Sequence, residues 1–334
     1  MIANNVPRRL PPTQLADITT IRQAWVDTCT NDMNAKLEKA QNDVLVEEIF
    51  LPLRDGTKSR TLVFKPKTAP ADGSPLVVLI HGGGFLFGAA EMEASACIDL
   101  TRSYGCVCLS LNYRLAPACK CPIAYNDCWD SLQWVSVLDH RKGSLLTGVQ
   151  IATNVSVLQA NPEKGFILGG TSSGGQMTIA LSHIARDESL SPPLTGVYLN
   201  ATSIVQENAV PDRYRELYRS GKQNDGKAGL SQKTRAMFVE AVAPDTDSEL
   251  WNLLDWRNGH RDLPRTYFQV CGADIQRDDA LVYERVLRLE NGIDTRVDVY
   301  PGLPHVFWYL YPGHSACDRF YRERLEGFAW LLGK

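Results

Sequence analysis

The stretch GFILGGTSSGGQMTIAL, residues 165–181, decides the fold that the sequence predicts. Its first part, 165–169, is typical of a buried strand, and its last part is typical of a helix. Ser172 stands between the two parts, and Gly170 and Gly174 flank it. Small residues are required where a strand turns directly into a helix, because larger side chains would collide with both elements. The stretch therefore predicts a nucleophile elbow with Ser172 as the candidate nucleophile.

A second glycine-rich segment, HGGGF at 81–85, follows another strand-like run at 76–80. Backbone N–H groups at Gly83 and Gly84 can approach an oxyanion closely because no side chain intervenes. The amide of Ser173 adds a third donor at the start of the predicted helix, whose dipole favours negative charge there. These three residues are the candidate oxyanion hole.

The last third of the sequence offers a base and a carboxylate to activate the serine. A predicted strand at 265–270 runs into a loop with Asp274, and the next predicted strand, 295–300, leads into a Pro/Gly loop with His305. The chain order serine, aspartate, histidine is the order found in one large class of serine hydrolases.

Other acidic and histidine residues compete for these roles. Asp278 and Asp279 lie close to Asp274, and we expect Asp278 to cap the helix that follows, because aspartate at a helix start accepts orphan N–H bonds. His81 is expected to brace the glycine loop. The remaining histidines are expected at the surface or in packing roles: His140, His183, His260 and His314.

The chain resembles the hormone-sensitive-lipase-like carboxylesterases of the α/β-hydrolase superfamily. HGGG and G-x-S-x-G-G carry the resemblance, together with NYRLAP at 112–117, the segment 122–134 and the two-aspartate spacing of Asp274 and Asp278. It covers roughly 76–307. The resemblance implies an α/β-hydrolase fold, with a mostly parallel eight-stranded sheet flanked by helices and a helical cap.

The resemblance also implies an activity, the hydrolysis of carboxylic esters. Ser172, Asp274 and His305 match the catalytic triad, and Gly83, Gly84 and Ser173 match the oxyanion donors. Arg114 and Asp127 match a structural ion pair. The sequence departs from the family pattern at Thr171, Ser173 and Gln176, where Asp, Ala and Asn are usual, so the substrate preference is the least transferable property.

Further strands are predicted at 44–51 and 59–65, joined across an Asp-Gly turn, and at 106–112 and 196–200. Two segments fall outside the strand–helix alternation, about 2–41 and 202–263. We expect one domain over 1–334, with these two segments forming a cap. Phe85 and Trp308 are expected to bind substrate, and further candidates for the pocket wall are Phe87, Trp251, Leu253, Leu254 and Trp256.

Composition excludes several classes of protein. The formal net charge of −3, with dispersed Lys and Arg, provides no basic patch for nucleic acid and no polybasic membrane anchor. The first nine residues lack the apolar core of a signal peptide, so a cytoplasmic location and nine reduced cysteines are expected. The single C-x-C at 119–121 does not make a zinc site, and we expect no metal or cofactor. Nothing in the sequence marks an exposed apolar edge, so the sequence predicts no particular oligomeric state.

The predicted reaction is hydrolysis of a small or medium acyl ester, or of an ester or lactone of a small natural product, through an acyl-enzyme on Ser172. Two alternatives stay open. An acyl-enzyme can also react with a nucleophile other than water, which gives acyl transfer, lactone formation or cyclisation. A protein with this fold can also be a receptor that binds a ligand without catalysing a reaction.

Overall fold

The computed structural model describes residues 18–136, 158–204 and 207–334. Within these ranges the strands form one eight-stranded sheet in the order β1-β2-β4-β3-β5-β6-β7-β8. The strands are β1 (Val44–Pro52), β2 (Lys58–Pro66), β3 (Leu76–Ile80), β4 (Val107–Leu111), β5 (Phe166–Thr171), β6 (Gly196–Asn200), β7 (Arg265–Cys271) and β8 (Thr295–Tyr300).

The sheet is mostly parallel, as the sequence predicted. Strand β2 is antiparallel to β1 and β4, whereas the pairs from β4 to β8 along the sheet are parallel. The predicted hairpin between β1 and β2 is confirmed. Gly56 adopts φ +84° at its tip, a conformation that glycine reaches without strain, and its N–H donates to the carbonyl of Leu53.

Helices lie on both faces of the sheet. They are α1 (Ile18–Ala40), α2 (Ala94–Tyr104), α3 (Ile123–Ser136), α4 (Ser173–Asp187), α5 (Ser220–Gln223), α6 (Gln232–Val242), α7 (Arg277–Arg285), α8 (Phe307–Leu310) and α9 (Ala316–Leu331). Helix α1 reaches almost to the end of the first expected cap segment, about 2–41. The part of the first expected cap segment before residue 18 and His140 lie outside the described residues.

Alternate residues of the central strands enter two apolar cores, one on each face. Val78 of β3 and Leu168 of β5 belong to the larger core, whereas Val77, Leu79 and Ile167 point into the other. All five side chains are fully buried. This burial on both faces explains why the strands read as continuous apolar runs rather than alternating ones.

The register of the sheet brings the carboxyl ends of its strands to one edge. Ile80 pairs with Gly170, Thr171 with Asn200, and Cys271 with Tyr300. Loops that follow parallel strands therefore meet at this edge, where open α/β sheets hold their ligands.

The predicted ion pair below this edge is confirmed. The Arg114 guanidinium donates to Asp127 at 2.6 and 2.9 Å, and the Arg114 backbone N–H donates to the same carboxylate at 3.0 Å. Asp127 is buried on α3, so the pair fixes the loop after β4 to that helix.

Candidate active site

Ser172 lies on the sharp turn between β5 and α4. Its backbone has φ 53° and ψ −116°, a conformation that residues other than glycine rarely adopt. Its N–H donates to the Asn200 carbonyl at 2.8 Å. A Cβ at Gly174 would stand 2.0 Å from the carbonyl oxygen of Ile80, and one at Gly170 would stand 2.4 Å from the backbone of Gly174. Both glycines are thus needed for the close packing of strand and helix.

His305 lies within hydrogen-bond distance of this serine. Its Nε2 is 3.0 Å from Ser172 Oγ, and its Nδ1 is 2.5 Å from Asp274 Oδ2. Each of the three side chains is largely buried. Val306, the next residue, has φ 48°, an outlier for a β-branched side chain, and such strain is common beside reactive groups.

Asp274 stands in the loop between β7 and α7. One carboxylate oxygen faces His305, and the other accepts the Gln276 N–H at 3.0 Å. The carboxylate is 2 % exposed. Because a carboxylate oxygen can only accept a hydrogen bond, Asp274 favours the His305 tautomer with its proton on Nδ1. Nε2 is then free to accept a proton from Ser172.

The prediction that Asp278 caps the following helix is wrong. Gln276 is the N-cap residue of α7, and Asp278 is the second residue of the helix. Its carboxylate instead accepts the backbone N–H groups of Arg219 and Ser220, both at 2.7 Å. Asp278 therefore fixes the chain segment between β6 and β7 to the start of α7. Its oxygens accept those two distant N–H groups rather than the N–H groups at the start of its own helix.

The glycine loop after β3 makes a tight turn. Gly83 has φ +116° and Gly84 has φ +62°, and the carbonyl of Gly83 accepts the N–H groups of Leu86 and Phe87 at 3.1 and 3.0 Å. His81 braces the loop as predicted, with its Nδ1 2.7 Å from the Gly82 carbonyl oxygen. Burial lowers the pKa of His81 to about 4, so this imidazole is neutral near pH 7.

The hydroxyl of Ser173 connects the glycine loop to the elbow. Its Oγ accepts the Phe85 N–H at 3.4 Å, and its hydroxyl also bonds with that of Tyr113. Tyr113 stacks on His81 with ring centroids 4.2 Å apart. The extra hydroxyl at this position, where the sequence resemblance expects alanine, is therefore engaged by the protein itself.

A cavity of about 580 Å³ opens onto these residues. Its wall includes Ser172, His305 and the glycine loop, and also one face of α1 and one face of α6. The volume is within the range of small-molecule sites. The aromatic residues in the wall are Trp25, Phe85, Phe87, Phe238, Trp251, Trp308, Tyr309 and Tyr321.

The predicted wall residues divide into two groups. Phe85 and Trp308 both line the cavity, as do Phe87 and Trp251. Leu253, Leu254 and Trp256 do not belong to the wall. Trp256 packs on His183 and donates its indole N–H to Asp187 at 2.8 Å, so this tryptophan belongs to the core.

Sequence reasoning missed several polar residues of the wall. Lys36 on α1, Glu93 before α2, Arg235 on α6 and Arg324 on α9 all line the cavity. They come from four distant parts of the chain, so no local motif indicates them. The helical spacing of Trp25, Cys29, Met33 and Lys36, which share one face of α1, is the one available signal.

The other histidines in the described ranges have packing or surface roles, as expected. His183 and His260 are buried, with Nε2 of one 2.9 Å from Nδ1 of the other, whereas His314 is exposed. No group of three or more His, Cys, Asp or Glu side chains within 18–136, 158–204 and 207–334 is arranged to hold a metal ion. None of the helices described is both long and apolar enough to cross a bilayer.

Fold and site together define a class, the α/β-hydrolases. The sequence profile of the alpha/beta hydrolase fold family matches residues 77–309, which is most of the chain, so the chain belongs to this family. Within it the chain is a hormone-sensitive-lipase-like enzyme and a carboxylic ester hydrolase.

Known proteins similar to this chain include two relatives in sequence and one solved structure. An AB hydrolase superfamily protein of Schizosaccharomyces pombe is 36% identical over 96% of this chain and 90% of its own length. A versiconal hemiacetal acetate esterase of Dothistroma septosporum is 29% identical over 84% of this chain and 79% of its own. The crystal structure of a vibralactone cyclase has a TM-score of 0.84 and 26% identity, covering 99% of this chain and 92% of that one.

Proposed function

We propose that the chain hydrolyses carboxylic esters through an acyl-enzyme on Ser172. The observation that carries the proposal is the position of His305, whose two ring nitrogens face Ser172 Oγ at 3.0 Å and Asp274 at 2.5 Å. A histidine between a hydroxyl and a buried carboxylate can take the hydroxyl proton and remain oriented as a cation.

In this mechanism Ser172 Oγ attacks the ester carbonyl as its proton passes to His305 Nε2. The carbonyl oxygen becomes an oxyanion, which the amides of Gly83, Gly84 and Ser173 stabilise. His305 then protonates the leaving alcohol. Water attacks the acyl-enzyme with the same imidazole as base, and the acid is released. The chemistry of these residues requires no cofactor.

We also propose that α1 and the segment between β6 and β7 act as the cap. Both contribute to the cavity wall, and Phe238 of α6 packs directly on Gly84. A cap in this position excludes water from the reacting ester, which strengthens the hydrogen bonds to the oxyanion.

For the substrate we propose a small or medium acyl ester, or an ester or lactone of a small natural product. The cavity volume and its aromatic wall support this range. The similarity to a versiconal hemiacetal acetate esterase supports the natural-product form. Phe85, on the glycine loop, and Trp308, on the short helix α8 after His305, are the proposed contacts.

A second candidate is cyclisation or acyl transfer in the same cavity. The similarity in fold to a vibralactone cyclase favours it. In that case a hydroxyl of the substrate or of an acceptor replaces water as the second nucleophile, and Ser172 keeps its role.

The test uses p-nitrophenyl esters of graded acyl length with the wild type, Ser172→Ala and Ser103→Ala. Ser103 is an exposed serine on α2 and serves as the matched control. We expect Ser172→Ala to lower kcat by roughly 10⁴-fold or more, and an organophosphonate to label Ser172 alone. Turnover that survives in Ser172→Ala would overturn the mechanism. Labelling without release of acid would favour the second candidate, and neither labelling nor turnover would favour a receptor.

A further inference from the structure

The cavity extends along α1 from an aromatic end to a polar end. Trp25 packs against Phe87 with ring centroids 6.0 Å apart, whereas Lys36, eleven residues further along the same helix, meets Ser95 and Asp99. At a rise of about 1.5 Å per residue these two points are roughly 16 Å apart. The polar end therefore lies well away from Trp25 and Phe87.

Two cations share one carboxylate at the polar end. The Lys36 ammonium donates to Ser95 Oγ at 2.8 Å and to Asp99 Oδ2 at 2.6 Å. The Arg324 guanidinium donates to the same Asp99 oxygen at 2.8 Å. A single carboxylate cannot neutralise two cations, so the charge of Lys36 and Arg324 exceeds that of Asp99. Two further carboxylates line the cavity: Glu91, which pairs with Arg60 at 2.6 Å, and Asp32, one helical turn before Lys36.

The Arg324 guanidinium has N–H donors that its one carboxylate partner does not use. Its side chain is 5 % exposed, and within the described residues its hydrogen bonds go to Asp99 alone. Nε is buried without a partner, and the guanidinium lies over the rings of Phe320 and Tyr321. A guanidinium carries five N–H donors, and a buried charge is costly unless those donors are paired.

Glu93 links the polar end to the nucleophile. It lines the same cavity, is 6 % exposed, and hydrogen-bonds to the side chain of Thr171, the residue before Ser172. Burial raises the pKa of Glu93 to about 7, so near neutral pH a large fraction of this carboxyl is uncharged. Below about pH 7, Glu93 therefore cancels only a minor part of the charge of Lys36 and Arg324.

We propose that Lys36 and Arg324 form a subsite for a carboxylate group of the substrate. The inference rests on the proposed ester hydrolysis and specifies its substrate class, an ester that carries a free carboxylate away from the reacting carbonyl. A guanidinium binds a carboxylate through two parallel hydrogen bonds, and the ammonium adds a third donor. The hydrolytic mechanism itself uses neither cation.

The experiment compares matched esters that end in a methyl, a hydroxyl or a carboxylate group. One set carries the terminal group on the acyl side, as in monoesters of succinic, adipic and suberic acid, and the other carries it on the alcohol side. Released acid is quantified by chromatography with the wild type, Lys36→Met, Arg324→Lys and Lys39→Met. Lys39 is exposed on the same helix and is the matched control.

We expect the wild type to favour the carboxylate ester over the methyl ester in at least one set. Lys36→Met and Arg324→Lys should each lower this ratio of kcat/KM by roughly tenfold, the value of a hydrogen bond to a charged group. Lys39→Met should leave it unchanged. An unchanged ratio in both test variants, or an equal preference for the hydroxyl ester, would overturn the subsite.

Failure of the subsite and failure of the proposed function give different results. If the methyl esters are hydrolysed in a Ser172-dependent way but the ratio does not respond, the subsite alone is wrong. If no ester in either set is hydrolysed, the proposed function is wrong as well. Because the ratio is taken within each variant, a general loss of folded protein cancels from it.

Discussion

At the scale of single residues, Gly83 and Gly84 are constrained by different kinds of neighbour. A Cβ at Gly83 would stand 2.2 Å from the backbone oxygen of Phe87, which cannot move without opening the turn. A Cβ at Gly84 would stand 2.3 Å from the ring of Phe238, a side chain on another element. The first contact is therefore rigid, whereas the second can be relieved by shortening one side chain.

This difference predicts different outcomes for two alanine substitutions. Gly83→Ala and Gly84→Ala should each lower kcat by roughly 10² to 10³-fold, the typical effect of losing an oxyanion donor. Adding Phe238→Ala should restore part of the loss in Gly84→Ala and none in Gly83→Ala. The measurement is kcat for a short acyl ester, with Phe238→Ala alone as the control. Equal restoration in both backgrounds would contradict the account.

Local patterns were sufficient to predict the position of Ser172, Asp274 and His305. Each follows a predicted strand, and parallel strands bring such positions to one edge of the sheet. The same local reasoning failed for Asp278, because its partners, the amides of Arg219 and Ser220, come from a segment almost sixty residues earlier. A carboxylate with a distant partner cannot be distinguished in sequence from one that caps its own helix.

At the scale of elements, α1 is attached to the loop that carries the proposed oxyanion donors Gly83 and Gly84. Arg22 donates from Nε to the Leu86 carbonyl at 2.7 Å and from a terminal nitrogen to the carbonyl of Ala116. The N–H of Ala116 in turn donates to the Phe85 carbonyl at 3.0 Å. One guanidinium therefore joins the first helix to two loops, and both loops adjoin Gly83 and Gly84.

We expect Arg22→Met to reduce turnover through this loop. The two carbonyls lose a charged donor, so the glycines are held less firmly, and kcat should fall roughly 10- to 100-fold, as expected for hydrogen bonds worth about 1.5–3 kcal/mol. KM should change little, and the rate of labelling by an organophosphonate should fall in parallel. Lys39→Met on the same helix is the control. A change in KM alone would show that Arg22 affects substrate entry instead.

The role of α1 was only partly predictable. The sequence indicates a helix without a strand partner, which suggests a cap, but the contacts of Arg22 join residues 64 and 94 positions apart. No periodicity encodes such distances. The same limitation applies to Lys36 and Arg324, because the carboxylate that they share lies on α2, which is separate from both of their helices.

At the scale of the whole molecule, two charged groups of the cavity wall, Lys36 and Glu93, have pKa values near neutral pH. Burial, followed by the nearby charge of Arg324, lowers the pKa of Lys36 to about 8, while Asp99 opposes the shift and Arg102 adds to it. Tyr321 lies beneath the Lys36 ammonium, 5.8 Å from its ring centroid. Burial raises the pKa of Glu93 to about 7, while a hydrogen bond with Thr171 and the charge of Arg324 oppose the shift. Tyr113 and Tyr198 also lie close enough to interact with this carboxyl.

The lowered pKa of Lys36 and the raised pKa of Glu93 make carboxylate binding depend on pH in the same direction. Below about pH 7 Lys36 is charged and Glu93 is largely neutral, so the proposed subsite is most positive there. As the pH rises through these values Glu93 gains a negative charge and Lys36 loses its positive one. The kcat/KM ratio of carboxylate to methyl ester should therefore fall, by roughly tenfold between about pH 6 and pH 9.

A ratio is the appropriate measurement because ionisation of the base affects both esters equally and cancels. In Lys36→Met the kcat/KM ratio should no longer fall near pH 8, where Lys36 titrates. The fall near pH 7, where Glu93 titrates, should remain. A ratio that stays constant or rises across this range in the wild type would contradict the assigned charges.

The proposed carboxylate ligands lie outside the span that the family profile matches. That span, 77–309, contains Ser172, Asp274 and His305, whereas Lys36 lies before it on α1 and Arg324 lies after it on α9. The residues proposed for the reaction and the two cations proposed for carboxylate binding are thus encoded in different parts of the gene. Substitutions at Lys36 and Arg324 can therefore change the preference for a carboxylate without altering the segment that holds Ser172, Asp274 and His305.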